Sequence, residues 1–200
     1  MTGTNMGRKS DARERILDSA VALMHERGYA SIGVEDIMLR AGVGKSSFYH
    51  FFKSKEALGA AAIDAYSDRS EANLFEKAFS DSVDPLERPL RLMSLICHDD
   101  KPVLGCLGGN SAAENSTTSE AIRLRTEQFL DRLRSHFAEA YNEAVDEMDL
   151  HPDTPVDNLA DASVAYVQGL LLLCRARKSW QPLKDFGPMV QNLWTPHRMG

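Results

Sequence analysis

Apolar side chains recur at three- and four-residue steps along most of this 200-residue chain. The pattern is clearest from Asp11 to Arg27, from Ser119 to Met148 and from Asp157 to Lys178. This spacing gathers apolar residues on one stripe of an α-helix, whereas a half-buried strand needs strict alternation. Because no strand-turn-strand pattern and no internal repeat interrupts it, the sequence predicts an all-α fold of about nine helices.

Charge is distributed unevenly along the chain. Residues 1–55 carry nine basic and six acidic side chains, a net charge of +3, whereas the remainder carries 14 and 23, a net charge of -9. The overall charge of -6 argues against a protein that is basic over its whole surface. A basic module on an acidic body is what a DNA-binding domain with a solubilising partner domain requires. We therefore expect a DNA-binding domain over residues 1–55 and a second helical domain over residues 56–200.

The sequence also bears on location and on metal chemistry. No secretory signal is recognisable, and the longest apolar run, Gly169 to Cys174, is far shorter than the roughly 20 residues of a membrane span. We therefore expect a cytoplasmic protein without membrane association. The three cysteines, Cys97, Cys106 and Cys174, are odd in number and lack paired spacing, which opposes both a disulfide framework and a zinc site. "CHDD" at residues 97–100 has no second ligand pair, so neither metal nor cofactor is expected.

The segment that says most about function lies between Val34 and Lys55. Two short helical patterns flank the glycine-bearing turn "AGVG" at residues 41–44, an arrangement that predicts a helix-turn-helix whose second helix enters the DNA major groove. On that helix Phe48 can anchor the core. The polar groups that can approach bases or phosphates are Lys45, Ser46, Ser47 and His50. Lys55, in the first turn of the next helix, can hold a phosphate together with free backbone N–H groups.

The stretch "ILDSAVALMHERGYASIGVEDIMLRAGVGKSSFYHFFKSKEALGAA", residues 16–61, resembles the amino-terminal DNA-binding domain of the TetR family of bacterial transcriptional repressors. It contains a Gly-Tyr turn, an Ala-Gly-Val turn and Tyr-x-x-Phe-x-x-Lys. Met38 and Gly44 stand where the family usually has alanine and serine, and Gly44 lacks the hydroxyl with which that serine would contact DNA or cap the helix. The resemblance implies groove and phosphate contacts at Lys45, Ser46, Ser47, Tyr49 and His50, a backbone contact at Ser31 and a phosphate clamp at Lys55. Tyr49 could instead serve the core.

The resemblance also implies a homodimer in which the last two helices pair with their twofold mates. The apolar positions expected at this interface are Leu170, Leu171, Leu172, Leu173, Val190, Leu193 and Trp194. The helix from Asp157 to Lys178 is apolar on more than one face, which agrees with pairing but also suits a central core helix of a monomer.

A second segment, "GCLGGNSAAE" at residues 105–114, resembles a TetR subgroup in which Gly-Cys-Leu opens the sixth helix and some members respond to electrophiles or oxidants. A thiol at a helix N-terminus carries more thiolate and is therefore more nucleophilic, so Cys106 is a candidate sensor. The alternative is a small buried residue that fills space between helices. A ligand pocket among the fourth to eighth helices is expected to be lined by Phe75, Met93, Ile96, Phe129, Leu133 and Tyr166.

These observations favour a dimeric repressor that leaves its operator DNA when it binds a small-molecule inducer or when a cysteine is modified by an electrophile. Two other classes compete with it, a thiol-dependent helical enzyme using Cys106 and an adaptor that binds only protein. The sequence contains no Cys-x-x-Cys, Gly-x-Ser-x-Gly or His-Glu-x-x-His motif, so enzymatic activity is not expected. An adaptor would not need polar groups on the second helix of the helix-turn-helix.

Overall fold

The computed structural model of the chain describes residues 4–97, 100, 102–115 and 118–199. Its helices are α1 (Thr4–Arg27), α2 (Val34–Ala41), α3 (Lys45–Phe51), α4 (Lys55–Ser70), α5 (Glu76–Ala78), α6 (Arg88–Ile96), α7 (Leu107–Asn115), α8 (Glu120–Asp146), α9 (Val156–Arg177) and α10 (Gln181–Phe186). A π-helical turn, Glu71–Phe75, joins α4 to α5, and 3₁₀ turns at Gly187–Leu193 and Thr195–His197 follow α10.

This architecture confirms the predicted all-α class. With α4, the π-helical turn and α5 counted as one continuous helix, the described residues form nine helices. Among them the only β-type pairing is an isolated antiparallel bridge between Leu150 and Arg198. Local signals account for the starts of α4 and α8, because Ser54 Oγ accepts from the Ala57 N–H at 3.0 Å and Ser119 Oγ accepts from the Ile122 N–H at 3.3 Å, as N-caps do.

The chain folds as two compact units. The N-terminal unit comprises Met1–Asp68 and Leu107–Phe129, and the C-terminal unit comprises Arg69–Cys106 and Leu130–Gly200. The first unit therefore extends beyond the domain boundary expected after residue 55, because α7 and the beginning of α8 contribute Leu107 and Ile122 to its core.

The core of the N-terminal unit is built where α1 to α4 turn their apolar stripes inward. Its fully buried side chains include Ile16, Ala20, Ile37, Phe48, Leu58, Ala62 and Ile63. Glycines end α1 and α2, because Gly28 has φ +84° and Gly42 has φ +64°, the left-handed conformation in which a helix commonly stops. The N-cap of α2 is Gly33, whose N–H donates to Asp36 Oδ2 at 2.7 Å, and Ser31 lies in the turn that precedes it.

In the C-terminal unit, the second half of α8 runs beside α9. Tyr141 Oη and Ser163 Oγ share a buried hydrogen bond of 2.8 Å, and Arg134 pairs with Asp157 and Asp161 at 2.6 and 2.7 Å. By length and composition alone α9 could span a bilayer, but 39% of its most apolar 18-residue stretch is buried inside the protein. A core helix of a globular protein passes the same test, so this observation does not support a membrane span.

Candidate functional site

The polar face of α3 carries the residues predicted from the sequence. Lys45, Ser46, Tyr49 and His50 are exposed and Ser47 is half-buried. The i, i+4 spacings 45–49 and 46–50 place these side chains in two adjacent rows on one surface. On the other side of the helix Phe48 is completely buried, with the Phe52 ring 6.2 Å from it between centroids. Tyr49 is 48% exposed, so it does not serve as a core aromatic.

An open groove runs between this face and the first half of α1. It is lined by Asp11, Ala12, Arg15, Gly44, Ser46, Ser47, His50 and Phe51. The Arg15 guanidinium is held there by an ion pair with Asp11 and by donation from Nε to the Ala41 carbonyl at 3.1 Å. Sequence analysis did not include Asp11 and Arg15, although their four-residue spacing on the polar side of α1 could have indicated that they act together.

Lys55 begins α4, but its ammonium is not isolated in solvent. Its Nζ lies 4.3 Å from the centre of the Tyr29 ring, a cation–π arrangement, and the side chain is half-buried. The Ala57 N–H of the same helix start is already bonded to Ser54 Oγ. Lys55 is therefore pre-oriented, and fewer backbone donors remain beside it than the sequence suggested. Ser31 is exposed in the turn that precedes α2.

A neighbouring arginine shows why a basic residue near this surface is not by itself a phosphate contact. Both terminal nitrogens of Arg40 donate to the Glu26 carboxylate, at 2.8 and 3.0 Å. These hydrogen bonds lower the pKa of Glu26 and raise that of Arg40. The Arg40 charge is thus compensated within the protein.

Cys106 immediately precedes α7 and is only 6% exposed. Before it, Gly105 has φ +75°, and a Cβ built on this glycine would lie 3.4 Å from Arg175 Cβ, so α9 passes close to this backbone. None of the three cysteines forms a disulfide bond within the described part of the chain. Cys174 is completely buried, and desolvation raises the pKa of its thiol, which opposes reactivity there.

The residues expected to line a ligand pocket do not all lie in the same unit. Phe129 belongs to the N-terminal unit, where its ring packs 5.4 Å from Tyr66. The other residues lie in the C-terminal unit, where Phe75, Met93 and Leu133 are buried and Ile96 and Tyr166 are half-buried. Tyr166 Oη donates to the Phe186 carbonyl at 2.6 Å.

A polar cluster at the π-helical turn was missed by the sequence analysis. Glu71 Oε1 bonds to His136 Nε2 at 2.8 Å, while the buried Glu71 Oε2 has no hydrogen-bond partner and lies 3.9 Å from Arg132 Nε. The His136 ring stacks on Phe79 at 5.1 Å and lies 5.6 Å from Phe75. π-Helical turns occur frequently at functional sites, but sequence spacing gives no signal for them.

The expected dimer-interface residues divide into two groups. Leu170, Leu171, Val190 and Trp194 are buried within the protomer, and Leu193 is half-buried. Leu172 and Leu173 are 64% and 41% exposed. The surface available to a partner on α9 is therefore narrower than the sequence suggested, because successive leucines on a helix point in different directions.

Within the described residues no three His, Cys, Asp or Glu side chains form a metal-binding group; His98 and Asp99 of "CHDD" lie outside them.

The chain is similar to proteins of known family. A family model described as bacterial regulatory proteins, tetR family, matches residues 16–62, and a model of the tetracyclin repressor-like C-terminal domain matches residues 89–189. The transcriptional regulator AcuR of Cereibacter sphaeroides is 32% identical over 180 residues, which cover 88% of this chain and 81% of AcuR.

Two further similarities extend over most of the chain. The HTH-type transcriptional repressor DhaR of a Mycobacterium species is 27% identical over 182 residues, which are 91% of each protein. The crystal structure of a regulatory protein TetR from Rhodobacter sphaeroides superposes with a TM-score of 0.81 at 28% identity, covering 92% of this chain and 99% of the other.

Proposed function

Because the chain belongs to the TetR family of bacterial transcriptional regulators, we propose that it is a homodimeric repressor that leaves its operator when a signal acts on the C-terminal unit. Proteins of this family are DNA-binding regulators, so the chain is a transcription regulator and not an enzyme. A cytoplasmic location follows from this proposed role. The observation that carries the proposal is the exposed polar face of α3 over the buried Phe48.

In the proposed complex α3 lies in the major groove. Lys45, Ser46, Ser47 and His50 are short or flexible enough for their polar ends to reach base edges and nearby phosphates, and Tyr49 supplies a hydroxyl and a ring edge. Ser31 and Lys55 contact the sugar-phosphate backbone on either side. These contacts position the helix, whereas base contacts from α3 supply specificity.

A homodimer is proposed because two recognition helices must fit successive major grooves, about 34 Å apart. The exposed Leu172 and Leu173 on α9 are candidates for the contact, and Gly169 and Ala165, also exposed, lie one and two turns earlier. Small residues at this spacing let a second helix approach closely, while exposed leucines supply the apolar area that association needs.

Two kinds of signal remain compatible with the geometry. A small molecule could contact the buried Glu71 Oε2, which lacks a hydrogen-bond partner, beside the aromatic rings of Phe75 and Phe79. An oxidant or electrophile could instead modify Cys106, next to α7. Either signal would shift a two-state equilibrium only if it favoured the dimer that does not fit DNA.

The experiment that tests DNA binding is selection of bound fragments from random or genomic DNA, followed by fluorescence anisotropy on the selected site. Lys45→Ala is expected to weaken binding, whereas Lys77→Ala, which removes the same charge from an exposed site in the C-terminal unit, is not. Failure to select any sequence, or equal effects of the two substitutions, would contradict α3 as the recognition element.

A further inference from the structure

A carboxylate on α7 is bonded to the turn that follows α1. Glu114 Oε2 accepts from the Tyr29 N–H at 3.1 Å, and its Oε1 accepts from the Ala30 N–H at 2.7 Å. These partners are 85 and 84 residues apart in sequence, yet all belong to the N-terminal unit. Each carboxylate oxygen of Glu114 thus accepts a hydrogen bond from a different backbone N–H group.

Gly28 makes room for this carboxylate. A Cβ at Gly28 would lie 2.7 Å from Glu114 Oε2 and 2.9 Å from Oε1, and the residue has φ +84°. The dipole of α1 disfavours a carboxylate at this place, because the C-terminal end of a helix carries partial negative charge. Successive backbone N–H groups after a left-handed residue can offset this by surrounding an anion. The two hydrogen bonds to Glu114 supply this compensation.

The bonded turn adjoins two of the proposed DNA contacts. Ser31 follows Ala30 directly, and the Tyr29 ring lies under the Lys55 ammonium at 4.3 Å. The same ring packs closely against Gly59, since a Cβ on Gly59 would lie 2.7 Å from Tyr29 Cε2. The position of Glu114 therefore bears on Ser31 through the backbone and on Lys55 through Tyr29.

The geometry points to Glu114 as a positioning residue for operator binding: its carboxylate fixes the turn so that Ser31 and Lys55 face the phosphates together. This inference rests on the proposed function, because it needs both residues at the DNA. A displacement of α7 that breaks the two hydrogen bonds would lower operator affinity without moving any base-contacting side chain of α3. Glu114 itself does not touch DNA in this role.

The test is Glu114→Gln, measured by anisotropy on the selected operator. A glutamine keeps the size of the side chain but has only one acceptor oxygen, and its NH₂ group would face a backbone N–H. Operator binding should weaken about 5- to 10-fold, which corresponds to the net contribution of about one neutral hydrogen bond. Simple electrostatics predicts the opposite sign, since removing a negative charge favours DNA. Glu14→Gln, which neutralises an exposed carboxylate on α1, controls for that effect.

Two additional measurements separate positioning from a general loss of structure. Hydrogen exchange at the Tyr29 and Ala30 amides should accelerate in Glu114→Gln, while the melting temperature of the protein falls by only about 2–4 °C, the shift expected for one lost hydrogen bond in a chain of this size. In double-mutant cycles the Glu114→Gln effect should shrink when Ser31→Ala or Lys55→Ala is also present, but should add to that of Lys45→Ala.

The outcomes distinguish this inference from the proposed function. Unchanged or tighter operator binding by Glu114→Gln, or full additivity with Ser31→Ala and Lys55→Ala, would overturn the positioning role while leaving DNA binding intact. If Ser31→Ala, Lys55→Ala and Lys45→Ala all bind the operator like the unaltered protein, the proposed contact surface itself is wrong, and the role of Glu114 is overturned with it.

Discussion

The ammonium nitrogen of Lys55 lies 4.3 Å from the centre of the Tyr29 ring, which fixes a flexible side chain at the beginning of α4. Burial raises the pKa of the Tyr29 hydroxyl, with a smaller contribution from the Glu56 charge, so the ring under Lys55 stays neutral. A cation held over a neutral aromatic face loses rotational freedom. The pair therefore presents an ordered charge beside the proposed operator.

Lys55→Ala is expected to weaken binding about equally for all DNA sequences and to lower the slope of log affinity against log salt by roughly one unit, as loss of one phosphate contact should. Tyr29→Leu keeps the charge and removes the ring, so it should weaken binding without changing that slope. Anisotropy titrations over a range of salt concentrations measure both effects. An unchanged slope for Lys55→Ala would remove Lys55 from the interface.

Gly108→Ala is expected to destabilise the N-terminal unit. A Cβ at this position of α7 would lie 2.3 Å from Cδ1 of the buried Phe129 ring. Alanine normally stabilises a helix interior by up to about 1 kcal/mol over glycine, but overpacking a core costs about 1–3 kcal/mol, so the net change should be a loss. Gly169→Ala in α9 adds a Cβ with no protomer atom within 4 Å, so it should show the opposite sign in urea unfolding. Because Gly169 also lies at the proposed dimer contact, both glycine variants are compared in the Leu172→Asp background, which is expected to be monomeric. Stabilisation by Gly108→Ala would contradict the packing described.

Several helix ends could be predicted from the sequence. The ends of α1 and α2 follow from Gly28 and Gly42, and the starts of α4 and α8 follow from Ser54 and Ser119, because caps act over a few residues. The exposed face of α3 also follows from local spacing. Local signals therefore account for these helix ends and for the exposed polar face of α3.

Features that depend on distant parts of the chain could not be predicted. The Glu114 contact joins residues 85 apart in sequence, and the membership of α7 in the N-terminal unit depends on it and on Leu107. Leu171 and Leu172 look equivalent in the sequence, yet one is buried and the other is exposed. Which face of a helix is covered is decided by what packs against it, and an all-round apolar helix carries no local signal for that choice.

Leu172→Asp tests the proposed dimer interface. The side chain is 64% exposed in the protomer, so aspartate should be tolerated there, whereas in an apolar interface its unpaired charge would cost several kcal/mol. Analytical ultracentrifugation should show a dimer for the unaltered protein and a folded monomer for the variant. Leu171→Asp should instead unfold the protomer, because Leu171 is buried. Leu124→Asp, at an exposed site in the N-terminal unit, is the control and should remain dimeric. A monomeric unaltered protein at micromolar concentration would defeat the dimer proposal.

Glu143→Gln tests an ion pair in the C-terminal unit. Arg88 is 3% exposed and donates to Glu143 at 2.6 and 2.8 Å, and these hydrogen bonds lower the pKa of Glu143 below its usual 4.5. The ion pair therefore stabilises the fold fully at a pH above the ordinary pKa of Glu143. This contribution is lost as the pH falls through the lowered pKa of Glu143 in the folded protein. Near pH 7 the substitution should cost about 1–2 kcal/mol, less than for a fully buried pair because Glu143 is partly exposed.

Urea unfolding at several pH values measures this dependence. The difference between the unaltered protein and Glu143→Gln should shrink as the pH falls from neutral towards the acid range in which Glu143 is protonated. Glu139→Gln, an exposed carboxylate one turn earlier on α8, should show little difference at any pH. A difference for Glu143→Gln that stays constant with pH would show that the pair does not titrate as described.

Cys106→Ser separates a thiol sensor from a packing residue. If Cys106 is the sensor, a mild electrophile or hypochlorous acid should release the unaltered protein from its operator, and the serine variant should bind DNA normally but fail to respond. Because Cys106 is only 6% exposed, a small reagent such as hypochlorous acid should act faster than a bulky electrophile. Cys174→Ser should respond like the unaltered protein, since burial raises the pKa of the Cys174 thiol and disfavours its thiolate.

The release assay must be accompanied by circular dichroism, because forced modification of a buried cysteine can unfold a protein and thereby release DNA without any signalling. A sensor shifts a folded equilibrium between two states of the dimer, so the helical signal should be unchanged after treatment. Equal release of the unaltered protein and of Cys106→Ser would exclude the thiol. In that case a non-covalent ligand is the remaining signal, and Glu71→Gln, which removes the charge from the carboxylate oxygen that has no hydrogen-bond partner, becomes the variant that should lose the response.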